Sequence, residues 1–172
     1  YRLPYPKHLF LDYLTATRPF VLHGSPLRGL KLIKPLRLTT DSREFGSQDA
    51  IYTTQDPLWA LFFAVLNRGS IQGTISNGAI YLKNKHGIQI RRYYFTIEVN
   101  SLHNYPWSPG AIYILPFEGF EPDPDQSGIT IGDYQLEVTH WIYRGELQPV
   151  ASLPVDPGDF PFLHSIWGYD ME

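Results

Sequence analysis

Two short segments carry side chains able to do chemistry together. His23-Gly24-Ser25 closes one stretch of strand character, and Ile51-Tyr52-Thr53-Thr54 closes another, with Tyr52 lying 29 residues after His23. A neutral imidazole offers a donor and an acceptor on separate ring nitrogens, and a phenol joins a flat apolar face to a polar tip. Such a pair can grip a ligand that has both a ring and hydroxyl groups. Each segment also has a plainer explanation. A strand-end histidine commonly satisfies a neighbouring backbone group, and Ile-Tyr-Thr is ordinary strand composition.

The elements that position these residues are readable. Phe20 to His23 and Ala50 to Thr53 read as short strands, the first closed by Gly24. After the second, Asp56 can cap a helix and Pro57 fits its first position, where a missing N–H costs nothing. Leu58 to Leu66 is apolar on every face, and Asn67-Arg68-Gly69 supplies a stop. A helix without a polar face must be buried on all sides, so this one is expected at the centre. Lys7 to Thr17 has helical spacing. Leu30 to Leu38 reads as irregular or an edge strand, and Thr39 to Asp49 as loop. Further strands are expected at Ala79–Lys83, Ile88–Val99, Ala111–Leu115, Tyr134–Tyr143 and Glu146–Pro154. Glu118 to Gly132 is an acidic, Pro/Gly-rich loop, and the apolar tail around Phe160 and Phe162 is expected to pack on the body. The class is α+β, with two small, mostly antiparallel sheets.

Composition sets the outer bounds. The 172 residues suit a single domain over 1–172, and 43% hydrophobic against 18% charged residues makes it globular. Beginning at Tyr1, the chain is expected to be a trimmed piece of a longer one. A net charge of −3 argues against a duplex-DNA binder, which needs clustered cations. With no cysteine there is no thiol nucleophile and no Cys-ligated zinc, and the compartment stays open: cytoplasmic and delivered-effector readings both fit. No apolar run is long enough to span a bilayer. The six histidines show no zinc-like spacing, so no metal is expected. Asp123 to Gly128 begins like an EF-hand loop, but Tyr134 stands where its bidentate Glu belongs. Arg91-Arg92 beside Tyr93-Tyr94 reads as a solvated strand edge. Gly-rich dinucleotide or P-loop fingerprints are absent.

Taken together, Leu22-His23-Gly24-Ser25, Ile51-Tyr52-Thr53-Thr54-Gln55-Asp56 and the helix Pro57 to Ala64 resemble the ADP-ribosyltransferase superfamily. The likeness is to the rifampin ADP-ribosyltransferases and the poly(ADP-ribose) polymerases, whose sites carry His, Tyr and an acidic residue. It is specific over roughly the first third of the chain. It implies an NAD cleft between two small sheets, with one buried central helix. His23 would hydrogen-bond the adenosine ribose. Gly24 would let its backbone pair with the nicotinamide carboxamide, and Ser25 would donate beside it. Tyr52 would stack on nicotinamide opposite Phe63, eleven residues later. Arg43 would meet the pyrophosphate.

The family's late acidic residue, which stabilises the cation formed as the glycosidic bond breaks, falls on Glu137 in Gln135-Leu136-Glu137. The rifampin enzymes instead use a mid-chain Asp, where this chain has Glu98-Val99-Asn100-Ser101. The activity implied is NAD-dependent mono-ADP-ribosylation, with NAD as co-substrate and a protein, nucleic acid or small molecule as acceptor. The alternatives are an NAD glycohydrolase toxin, a tRNA-repair type phosphotransferase, for which no basic phosphate-binding set is evident, and a non-catalytic module of the same fold that binds ADP-ribose or a partner.

Overall fold

A computed structural model describes residues 2–36, 45–124 and 129–170. Helix α1, Lys7–Thr17, ends where Arg18 turns extended (φ −136°, ψ 151°), as a residue preceding proline must. Strand β1 (Phe20–Ser25) follows, then β2 (Ile51–Thr54) and helix α2 (Pro57–Val65). Capping places the start of α2: Asp56 Oδ1 accepts the Trp59 N–H at 2.8 Å, and Pro57 occupies the first turn. The long strands β3 (Ile75–Asn84) and β4 (Gln89–Glu98) form a hairpin. Helix α3 (Val99–His103) comes next, before β5 (Gly110–Pro116), β6 (Glu121–Pro122), β7 (Thr130–Ile131), β8 (Tyr134–Glu137), β9 (His140–Tyr143), β10 (Ala151–Val155) and β11 (Trp167–Tyr169).

These strands make two sheets, ordered β10-β5-β1-β2-β9-β6 and β11-β4-β3-β8-β7. Every pairing is antiparallel except β11 on β4. The protein is thus α+β, with three α-helices among the described residues. Helix α2 lies between the sheets. Leu22, Ile112 and Ile114 from the first, and Ala79, Phe95 and Ile97 from the second, join it in one buried cluster. Phe160 of the tail closes that cluster, at 1% exposure. The opposite face of the first sheet buries Val21, Ile51, Tyr113 and Leu115.

Two devices fix α2 in place. On the first sheet, a Cβ added to Gly24 would stand 2.0 Å from Ala60 O, and one added to Gly110 would stand 1.8 Å from Ala64 O. Helix backbone therefore lies directly on strand backbone. On the second sheet, the fully buried Asp56 accepts the hydroxyls of Tyr81 at 2.5 Å and Tyr93 at 2.8 Å through Oδ2. Burial and the Asp56 charge push both phenols to higher pKa, which keeps them protonated as donors.

The structure departs from the sequence reading in definite places. Tyr134–Tyr143 is two strands, because Tyr134–Glu137 pairs with β3 in one sheet and His140–Tyr143 with β2 in the other. The strand expected at Ile88–Val99 stops at Glu98, whose carboxylate caps α3. Of the Leu30–Leu38 stretch, residues 37 and 38 lie outside the described residues, and Ile33 makes an isolated bridge to Leu147. Helix α2 ends at Val65 without a left-handed glycine, and a 3₁₀ turn, Arg68–Ser70, follows.

Candidate active site

The ladder between β1 and β2 registers at Leu22↔Thr54 only, while β1 runs beside β5 for six pairs from Phe20 to Ser25. Past Leu22 the His23 side chain bridges the two strands, with Nδ1 2.8 Å from Tyr52 O. A carbonyl can only accept, so Nδ1 carries the proton and Nε2 keeps its lone pair. Burial lowers the His23 pKa; the bond to Tyr52 opposes this, and the positive charge of Arg68 adds to it. The imidazole is therefore neutral at pH 7, an acceptor at Nε2 suited to a hydroxyl. Its ring lies 6.4 Å from that of Tyr113, on the sheet face opposite Leu22 and Gly24.

Tyr52 sits on β2 in register with Ile142. Its hydroxyl accepts from Gln48 N at 2.9 Å and lies 2.9 Å from Phe45 O, so the phenol is fastened to the turn before the strand. The ring packs against Phe45, 6.3 Å away and edge-on, and against His140 at 5.7 Å. Phe63, half-buried on α2, has the Phe62 ring and the Arg68 guanidinium as its neighbours. The structure thus links His23 to Tyr52 only through the Tyr52 carbonyl. Strand alternation puts the His23 ring beside Tyr113 and the Tyr52 ring on the other, α2-facing side with His140. The two rings do not face one another, and Tyr52 and Phe63 have separate neighbours. Two surface hollows, of about 220 and 460 Å³, lie beside α3 with the tail and along β4; neither is lined by His23, Tyr52 or Phe63.

Gly24 needs its missing side chain for α2, as described above. Ser25 is buried, and its Oγ accepts the Leu27 N–H at 3.2 Å. Arg43 lies outside the described residues. Glu137 is exposed at the end of β8, opposite Tyr81, where the chain crosses from one sheet to the other. Two residues on, Thr139 Oγ1 is 3.1 Å from Thr54 Oγ1. Glu98, the competing acid position, is engaged by the N–H groups of Asn100 and Ser101, which lower its pKa. It is a helix cap.

One residue beside Tyr52 escaped the sequence reading. His140 faces Thr54 in register, and its ring lies 5.0 Å from Trp59 and 5.1 Å from Phe45. Its Nδ1 is 3.9 Å from Oδ2 of the buried Asp123. Alternation with Ile142 puts it on the Tyr52 side, but that signal is usable only once β9 is known to pair with β2. Arg91 pairs with Asp12 at 2.6 Å, and Arg92 donates to the Arg91 carbonyl. Among the described residues no cluster of three or more His, Cys, Asp or Glu could hold a metal, and no helix is long and apolar enough to cross a membrane. Comparison with family models, curated proteins and solved structures finds no match for this chain.

Proposed function

We propose that this domain binds NAD along the seam between β1 and β2 and transfers its ADP-ribose to an acceptor. The observation that carries the reading is the His23 bridge: Nδ1 lies 2.8 Å from Tyr52 O, which leaves Nε2 as the ring's acceptor. A ribose hydroxyl is the natural donor to such an atom. The sequence likeness over Leu22–Ser25 and Ile51–Ala64 supports the same conclusion.

In this scheme His23 orients the adenosine ribose, and the backbone at Gly24 with the Ser25 hydroxyl holds the carboxamide. Phe63, on the flank of α2, supplies the wall for the nicotinamide ring. Breaking the nicotinamide–ribose bond leaves positive charge on the sugar, and Glu137, at the crossing between sheets, stabilises it. The acceptor bonds to the anomeric carbon as nicotinamide leaves, and the acceptor's proton passes to water.

A second reading is a binding module without turnover. Two observations favour it: the Glu137 side chain is exposed, and the Tyr52 hydroxyl is already fastened to the Phe45–Gln48 turn. Nicotinamide release from NAD, measured with and without candidate acceptors, separates the two. Glu137→Gln should lower release about 100-fold while NAD affinity is retained. Binding without release in the unmodified protein would favour the module. Unchanged release in the variant would remove Glu137 from its role.

A further inference from the structure

Most arginines with a described partner in this protein meet a carboxylate. Arg28 reaches Asp156 at 3.0 Å, Arg91 reaches Asp12 at 2.6 Å and Arg144 reaches Glu121 at 3.1 Å. Arg68 does not. It opens the turn that follows α2, it is half-buried, and its guanidinium lies over the Phe63 ring at 5.0 Å. Among the described residues its side chain has no ion-pair partner and no hydrogen-bond acceptor.

Carbonyls around the turn take other donors. Val65 O accepts Ser108 N at 2.8 Å, and Asn67 O accepts Ser70 N at 3.1 Å and Ser70 Oγ at 2.8 Å. The negative end of α2 favours a cation here, and the Phe63 ring face attracts it. Neither supplies acceptors for five N–H groups held in a rigid fork. Partial burial lowers the Arg68 pKa, and its charge is felt at His23.

We infer that Arg68, with its guanidinium over Phe63, is an anion site of this protein, and that it takes a phosphate group of the dinucleotide. A planar fork suits bidentate contact with phosphate oxygens. Phe63 and Arg68 then form one ligand wall along the flank of α2, with the ring toward the nicotinamide and the cation toward the phosphates. The phosphate assignment rests on the NAD reading; the anion site itself does not.

The test is calorimetry of the unmodified protein, Arg68→Gln and Arg68→Lys with three probes: NAD, inorganic pyrophosphate and nicotinamide. Arg68→Gln should weaken NAD and pyrophosphate by about 10- to 100-fold, the loss expected for charged hydrogen bonds. Nicotinamide binding should not change, and Arg68→Lys should fall between. The melting temperature of Arg68→Gln should hold, since no ion pair is lost, which separates lost binding from lost folding. If Arg68→Gln binds NAD and pyrophosphate as the unmodified protein does, the Arg68 inference is wrong and the NAD reading stands. If pyrophosphate binds through Arg68 but NAD does not bind, the NAD reading fails and the anion site stands. If the unmodified protein binds neither, both fall.

Discussion

At the scale of single residues, the account turns on an imidazole whose two nitrogens have different duties. The Tyr52 carbonyl fixes the proton on Nδ1, and burial keeps the ring neutral. This has a consequence for stability. The folded pKa of His23 lies below the ordinary 6.5, so the folded state binds fewer protons than the unfolded chain. Stability is then full above the unfolded value and declines as pH falls from about 6.5 toward the folded value. Urea titrations across that range should show the decline, and His23→Gln should flatten it. An equally steep decline in the variant would assign the effect to another group. His23, Gly24 and Tyr52 stand out in the sequence by type and order, which says nothing of the sheet face each side chain takes. His140 was not legible, since its neighbours Trp59, Tyr52 and Phe45 come from segments 81 or more residues away in sequence.

At the scale of elements, local chemistry was a good guide wherever it alone decides the outcome. Asp56-Pro57 followed by an unbroken apolar run specified α2 and its burial, and both ends fall within a residue or so of expectation. Tertiary choices were hidden. Nothing in the alternation of Tyr134–Tyr143 says that its halves serve different sheets, and β11, only three residues long, has no periodicity to read. Gly24 shows how an element can reassign a residue. The resemblance gives its missing side chain to the ligand, whereas the 2.0 Å approach to Ala60 O gives it to α2. Gly24→Ala should therefore destabilise the protein with no ligand present, by about 1–3 kcal/mol or more, because backbone cannot yield as a flexible side chain does. Thermal melts of the ligand-free variant check this. An unchanged melting temperature would return Gly24 to a purely ligand-facing role.

At the scale of the whole molecule, two sheets enclose one apolar helix, and the proposed site lies along the first of them. The α+β class and the central helix were legible because apolar blocks and turn residues alternate throughout the chain. The arrangement of the site was less so, because it depends on β2 lying between β1 and β9, a pairing that only the assembled sheet defines. Helix α2 touches the first sheet at Gly24 and Gly110 and the second through Asp56, so a ligand along its flank would contact the element that joins both sheets.

The most direct test is an NMR titration of the protein with NAD, following the His23 imidazole and the Tyr52 ring. The account predicts that both sets of resonances shift together and saturate at one equivalent of NAD. Shifts confined to residues outside β1, β2 and α2, or no shift at either ring, would contradict it.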